Sequence, residues 1–307
     1  MNQNKRKPIS NKAKSTKSTE YVVSEPMGLL EFLRVSLPNQ ARNKVKAHLT
    51  HREVSVDGVV TTKYDYLLKK GQVVKIDRSG KPQQASASDF LEIIYEDNDF
   101  IVINKPAGLL SIATDTEKVA TAYHLLTEYV KQKDAENRIF VVHRLDRDTS
   151  GVLMVAKNEE IKYALQDHWD ELVIFRGYIA LVEGQLEEKE GQITSWLKET
   201  KTHFVYSSDK NGDGQKAVTN YKVLQESANL SMLEVKLETG RKNQIRVHMQ
   251  DLGHPIIGDK KYGSHVNPIR RLGLHAHKLE FIHPITKQKV SFLAPIPRKF
   301  KAILKQS

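Results

Sequence analysis

Hydrophobic residues in the larger part of this chain come in short runs split by turn-forming residues, and that spacing narrows the folds open to it. Leu91-Glu92-Ile93-Ile94 and Phe100-Ile101-Val102-Ile103 flank the polar stretch Glu96-Asp97-Asn98-Asp99, a hairpin signal. Further strand-like runs fall at 139–142, 152–156, 178–182, 218–223 and 233–237, while 121–133 and 159–172 read as helices. Strands outnumber helices, and hairpins outnumber long crossovers. The expectation is an α+β domain with a mixed, mainly antiparallel sheet, and not a doubly wound parallel sheet.

That domain is expected over 90–307. Before it, residues 1–25 form a basic arm rich in Lys, Asn, Ser and Thr, including Lys5, Arg6, Lys7, Lys12, Lys14 and Lys17. Such an arm cannot bury an apolar face, so disorder is expected. Residues 26–78 read as a small module. Leu29, Leu33 and Leu37 recur at helical spacing until Pro38, and Ala41, Val45 and Leu49 give the buried stripe of a second helix. Arg42 and Lys46 lie one turn apart beside that stripe and can face one ligand. Val54-Ser55-Val56, the Asp57-Gly58 turn and Val59-Val60 read as a hairpin, and a last strand follows Gly71. Residues 79–89, from Ser79-Gly80-Lys81-Pro82 onward, lack periodicity and read as a linker.

Charge narrows the partners. The 307 residues carry 48 Lys+Arg against 37 Asp+Glu, a net +11, which favours a polyanion through steering and counterion release. There is no cysteine, which excludes disulfides, thiolate metal sites and a Cys nucleophile. No apolar run approaches the roughly 20 residues of a membrane span, and the N-terminus has no apolar signal core. A cytoplasmic protein is expected, and a monomer, since no coiled-coil pattern is present.

The densest chemistry lies in His143-Arg144-Leu145-Asp146-Arg147-Asp148-Thr149-Ser150-Gly151-Val152-Leu153-Met154. An apolar run enters it, a tight Thr-Ser-Gly turn leaves it, and a second apolar run follows. This is strand, polar loop, strand, with the loop at a sheet end. Positive neighbours favour the carboxylate form of Asp146, which suits a nucleophile or an electrostatic anchor better than a general acid. On charge pattern alone, a salt-bridged surface turn fits equally well.

The letters of this stretch are similar to the active-site motif of RluA-type pseudouridine synthases, a family that isomerises uridine in ribosomal and transfer RNA. The resemblance implies that Asp146 is the catalytic nucleophile. Arg176-Gly177-Tyr178 is similar to a second motif, and implies that Tyr178 packs against the target base and can relay a proton. Glu238-Thr239-Gly240-Arg241-Lys242-Asn243-Gln244-Ile245-Arg246 resembles a third, which implies that Arg246 pairs with the catalytic Asp; Asn243 stands where the family usually has His. A bidentate guanidinium would suit that pairing. Ile245, Met249 and Leu252 give this stretch a helical period with Asn243 as N-cap and Gly253 as C′, although Ile245, Val247 and Met249 also alternate as in a strand. Asn104-Lys105-Pro106-Ala107-Gly108 resembles the family's first motif, a pocket floor with Lys105 as a candidate phosphate contact. Gly258-Asp259-Lys260-Lys261-Tyr262-Gly263 also resembles the family's text. Residues 26–78 resemble the alpha-L RNA-binding domain, in Pro38-Asn39-Gln40-Ala41-Arg42-Asn43 and Val54-Ser55-Val56-Asp57-Gly58, with Ala41 where that family usually has Ser. Arg42, Lys46, Lys105, Arg144 and Arg241 are thus the expected RNA contacts.

The function implied is site-specific isomerisation of uridine in structured RNA, with no cofactor and no metal. Large-subunit ribosomal RNA is the first expected substrate and transfer RNA the second. A non-catalytic RNA-binding or ribosome-assembly factor is the main alternative; for it, Asp146 and Tyr178 would be dispensable. A metal-dependent nuclease using Asp146 and Asp148 would need convergent carboxylates, and the flanking arginines oppose a divalent ion. His275-Ala276-His277, with His283, puts two imidazoles on one strand face, but no carboxylate or Cys set completes a metal site.

Overall fold

Two units divide the chain, residues 1–86 and 87–307. The computed structural model describes residues 18–50, 53–61, 64, 66–77, 91–115 and 117–305. The linker expected over 79–89, and the arm as far as residue 17, lie outside the described residues.

In the first unit, β1 (Ser18–Val22), β2 (Met27–Gly28), α1 (Leu29–Ser36), α2 (Arg42–Thr50), β3 (Val54–Val56), β4 (Val59–Val60), β5 (Leu67–Leu68) and β6 (Val73–Asp77) follow in order. Leu29, Leu33, Leu37, Val45 and Leu49 are buried against Val54, Val56, Val74 and Ile76, so the helical stripes pack on one small sheet. Ala41 is exposed and precedes α2, so that stripe begins at Val45. Asp57 and Gly58 take positive φ of 49° and 82°, the turn geometry that favours Asp-Gly between β3 and β4. Ser18–Val22, assigned from sequence to a disordered arm, is strand β1, antiparallel to β6 from Ser18↔Asp77 to Val22↔Val73. Its partner lies far downstream, so no local pattern marked it.

The second unit contains β7 (Glu92–Glu96), β8 (Phe100–Lys105), α3 (Ala122–Lys133), β9 (Phe140–Val141), β10 (Ser150–Ala156), α4 (Glu159–Asp167), α5 (Trp169–Leu172) and β11 (Val173–Glu183). Then come β12 (Glu190–Glu199), β13 (Val205–Ser208), β14 (Gln215–Glu226), β15 (Leu230–Leu237), α6 (Gln244–Asp251), β16 (Leu274–Ile282), β17 (Lys289–Leu293) and α7 (Arg298–Ile303). Their sheet runs β13-β12-β14-β15-β11-β16-β10-β8-β7, with β17 on β16 and β9 on β10. β10 and β16 pair in parallel, and every other pairing between these strands is antiparallel. This is the expected α+β class. The helix expected over 159–172 is two helices, broken at His168, whose φ of −122° and ψ of 29° are not helical.

Every residue of β10 is buried. Val152, Met154 and Ala156 face one apolar cluster with Phe100, Val102 and Phe281, while Leu153 and Val155 face another with Ile101, Ile103 and the inner face of α3. A strand covered on both faces loses the polar alternation of a half-exposed one and reads as a continuous apolar run. That central strand sets the position of the loop before it, which carries Asp146. No helix among the described residues is long and apolar enough to cross a membrane.

Candidate active site

The loop from His143 to Thr149 leaves β9 and enters β10, and its backbone is tied down residue by residue. Ser111 Oγ donates to Leu145 O at 2.7 Å and accepts from Leu145 N–H at 3.0 Å. Gly108 N–H donates to Arg147 O at 2.9 Å, and Thr149 N–H donates to Asp146 O at 3.2 Å. Lys105 Nζ donates to Arg147 O (3.0 Å), Leu109 O (2.7 Å) and Pro106 O (3.1 Å). Lys105 is fully buried. It therefore cannot touch a phosphate, and the expected RNA contact is corrected to an internal clamp. Burial pushes its ammonium down to about 7, against the pull of Asp148 and Asp146.

The Thr-Ser-Gly turn has a packing reason. Gly151 sits at φ +115°, and a Cβ there would lie 2.0 Å from Ala276 O of β16. Ser150 Oγ lies 2.8 Å from His275 Nδ1 and accepts from Arg271 Nη2 at 2.7 Å. His277 Nδ1 donates to Ala294 O at 2.6 Å. These imidazoles are used in holding the sheet, and no group of three or more His, Cys, Asp or Glu converges among the described residues.

Asp146 opens into a cleft of about 560 Å³ whose walls are the 143–149 loop, the start of β11, the 238–243 turn and α6. Its carboxylate lies 3.7 Å from Arg246 Nη1. The pairing expected from sequence was bidentate, and it is not. The fork of Arg246 closes on Asp259 instead, Nε to Oδ2 at 2.6 Å and Nη2 to Oδ1 at 2.8 Å. Asn243 Oδ1 accepts from Arg246 Nη1 at 3.0 Å, and the Tyr262 ring lies 4.8 Å from the guanidinium carbon. Asn243 occupies the N-cap of α6 in a left-handed conformation (φ 55°), with no side-chain cap. Its amide holds the arginine and, through Nδ2, the Tyr262 hydroxyl. Gln244 ties the Thr239-Gly240-Arg241 turn: its Oε1 accepts from Arg241 N–H and Thr239 Oγ1, and its Nε2 donates to Val218 O.

Tyr178 stands on β11, half-buried and in contact with the apolar clusters on either side. Burial raises its phenol to about 12; Arg176 opposes this and Asp146 adds to it. His143 lowers to about 4, by burial and then by the charge of Arg176, so its Nε2 is free to accept Met154 N–H at 3.0 Å. Its ring lies 5.4 Å from that of Trp169, which also lines the cleft. Arg144 and Arg241 are exposed on the rim. Arg42 and Lys46 lie on α2 of the first unit.

Sequence reasoning missed Asp259, His143, Trp169, Arg176 and Lys242 as parts of the site. The sequence signal for Arg176 was its place at the head of the Arg176-Gly177-Tyr178 motif; in the structure a Cβ on Gly240 would lie 2.8 Å from Arg176 Nη1, so the glycine of the Thr-Gly-Arg turn leaves room for that guanidinium.

One carboxylate in a cation-rimmed cleft with aromatic walls, at the end of a mainly antiparallel sheet, defines an enzyme site for an anionic substrate bearing a flat ring. Residues 99–251 match the family described as RNA pseudouridylate synthase. The RNA pseudouridine synthase YhcT of Bacillus subtilis (strain 168) is 33% identical over 277 residues, 89% of this chain and 91% of that one. The ribosomal large subunit pseudouridine synthase D of Nitrosomonas europaea is 32% identical over 281 residues, 87% and 80% of the two chains. Among solved structures, human RNA pseudouridylate synthase domain containing 1 superposes with a TM-score of 0.55 at 27% identity, covering 69% of this chain and 86% of that one. Human RNA pseudouridylate synthase domain containing 4, at 23% identity and TM-score 0.58, shares the fold. The chain belongs to the RNA pseudouridine synthase family, of the RluA/RluD type, and is an isomerase that modifies RNA.

Proposed function

We propose that this enzyme converts a specific uridine of large-subunit ribosomal RNA to pseudouridine, with Asp146 as nucleophile on an extruded base. The observation that carries this reading is the Asp146 carboxylate, open to the cleft and 3.7 Å from an arginine that is anchored elsewhere. Extrusion of the base costs a few kcal/mol and is cheapest in loops and single strands. Asp146 attacks the nucleoside and forms a bond to it, the N-glycosidic bond breaks, the uracil turns, carbon 5 joins the sugar, the bond to Asp146 breaks to return the carboxylate, and the hydrogen of carbon 5 leaves as a proton. Nothing is oxidised or reduced. Tyr178 offers a π-face worth about 1–3 kcal/mol to the base and a hydroxyl that stays protonated at neutral pH. Arg246 steadies the carboxylate. Arg144 and Arg241 on the rim, and Arg42 and Lys46 on an alpha-L type module, meet phosphates. The name of the Nitrosomonas relative supports the ribosomal substrate. We place the enzyme in the cytoplasm as a monomer.

The test is tritium release from carbon-5-labelled, unmodified ribosomal and transfer RNA. Release by wild type and not by Asp146→Asn, with RNA binding retained, is the expected result. The RNA that responds names the substrate. Normal release by Asp146→Asn would falsify the nucleophile assignment, and no release by wild type from either RNA would leave the binding-factor alternative.

A further inference from the structure

A second cleft of about 510 Å³ lies on the other side of the Asp146 loop. The loop is its partition: Asp146 faces the first cleft, while Arg147 and Asp148 face the second, and Arg246 lines both. Lys260, Lys261, Arg270 and Arg271 complete the second cleft's charge. Its two carboxylates are already matched, Asp148 by Arg147 at 3.2 Å and Asp259 by Arg246. Among the described residues, Lys260 and Arg270 have no carboxylate partner, and both are exposed. Arg271 is half-buried, held by Ser150 Oγ, Leu272 O and Leu274 O. Burial first, then the charges of Arg246 and Lys242, press the Lys261 ammonium down, against the pull of Asp146 and Asp259.

The lining contains no aromatic ring, and its apolar side chains are Ala107 and Leu272, so the cleft offers nothing for a base to stack on. It is built for a compact anion. We propose that this cleft is a phosphodiester subsite, which seats the backbone of the RNA strand next to the nucleotide held over Asp146. The proposal rests on the reading of the first cleft as a uridine site. Continuity through Arg246 supplies the register: a strand whose base enters the first cleft and whose backbone passes over exposed Arg147 brings its next phosphate to Lys260 and Arg270. Phosphate contacts of this kind position the strand without reading its sequence.

The experiment is tritium-release kinetics on unmodified ribosomal and transfer RNA across a series of KCl concentrations. It compares wild type, the Lys260→Gln/Arg270→Gln double variant, and the charge-preserving Lys260→Arg/Arg270→Lys pair. Both positions are exposed, and a melting curve checks folding. The Gln variant is expected to lose kcat/KM at least fivefold, chiefly through KM, and its log–log salt slope should flatten by about 0.7 for each phosphate that is no longer neutralised. The charge-preserving pair should keep the wild-type slope. An active wild type with unchanged KM and slope in the Gln variant overturns the subsite and leaves the uridine reading intact. A wild type inactive on both RNAs overturns the uridine reading, and the subsite falls with it.

Discussion

At Arg246 one guanidinium serves two carboxylates in different ways. Asp259 is 2% exposed and takes both fork hydrogen bonds; Asp146 is reached end-on at 3.7 Å. The buried pair is the anchor, so Asp146 keeps its oxygens for substrate. Asp259→Ala strands a guanidinium that is largely out of water, at a cost of about 3 kcal/mol, and frees it to collapse onto Asp146. We expect a lower urea midpoint and a kcat reduced about tenfold or more through lost positioning. A variant with wild-type midpoint and kcat would remove Asp259 from the site. Arg246 was legible in the sequence through its motif, whereas Asp259 was not. Gly258-Asp259-Lys260-Lys261-Tyr262-Gly263 resembles the family's text without giving Asp259 a role, and only the tertiary fold brings its carboxylate under α6. Lys105 misled for a related reason: a lysine beside Pro and Gly suggests a surface, yet β8 pairs with β10 there, at Gly151↔Lys105, and shuts it in.

At the scale of elements, the parallel contact between β10 and β16 joins the Asp146 loop to the sheet. Gly151↔Ala276 is so close that any side chain on Gly151 meets backbone. Gly151→Ala should therefore cost at least about 3 kcal/mol, or prevent soluble folding. Gly253→Ala, also at positive φ but with no atom within 4 Å of the added Cβ, should cost about 1 kcal/mol. Equal melting temperatures for the two variants would contradict a steric role for Gly151. The motif's glycine was visible in the sequence, but its reason was not, since the contact joins residues far apart along the chain. The central strands were legible because both faces are buried. β12 and β13 were not foreseen; in β12 the buried residues are confined to Ser195 and Leu197, and Glu190, Gln192 and Thr194 are exposed. α6 carried both a helical and an alternating pattern for one physical cause. Ile245 and Met249 pack toward β11 and β15, Val247 packs toward Tyr262 on another side, and all three are buried.

Across the larger unit, three imidazoles are held neutral by burial. His143, His248 and His275 each lower to about 4. His248 bridges Ser195 and Thr219, His275 holds Ser150, and His143 accepts from the backbone of β10. In the unfolded chain each ring titrates near 6.5. The folded values are depressed, so the unfolded state binds more protons between about pH 6.5 and 4, and stability rises with pH across that window. The contribution is complete above 6.5 and is lost as pH falls toward 4. Both tryptophans of the chain, Trp169 and Trp196, lie in this unit, so their fluorescence follows its unfolding. Urea midpoints should hold level from pH 8 to 7 as far as these rings are concerned, then drop, steepest near pH 5, with an uptake approaching three protons on unfolding. His248→Gln should remove one proton from that slope, because its amide needs no protonation to leave the core. A midpoint unchanged between pH 7 and 5 would mean that the rings are charged in the folded chain. His143 Nε2 could not then accept from Met154, and the strand end that carries the Asp146 loop would be held by some other contact.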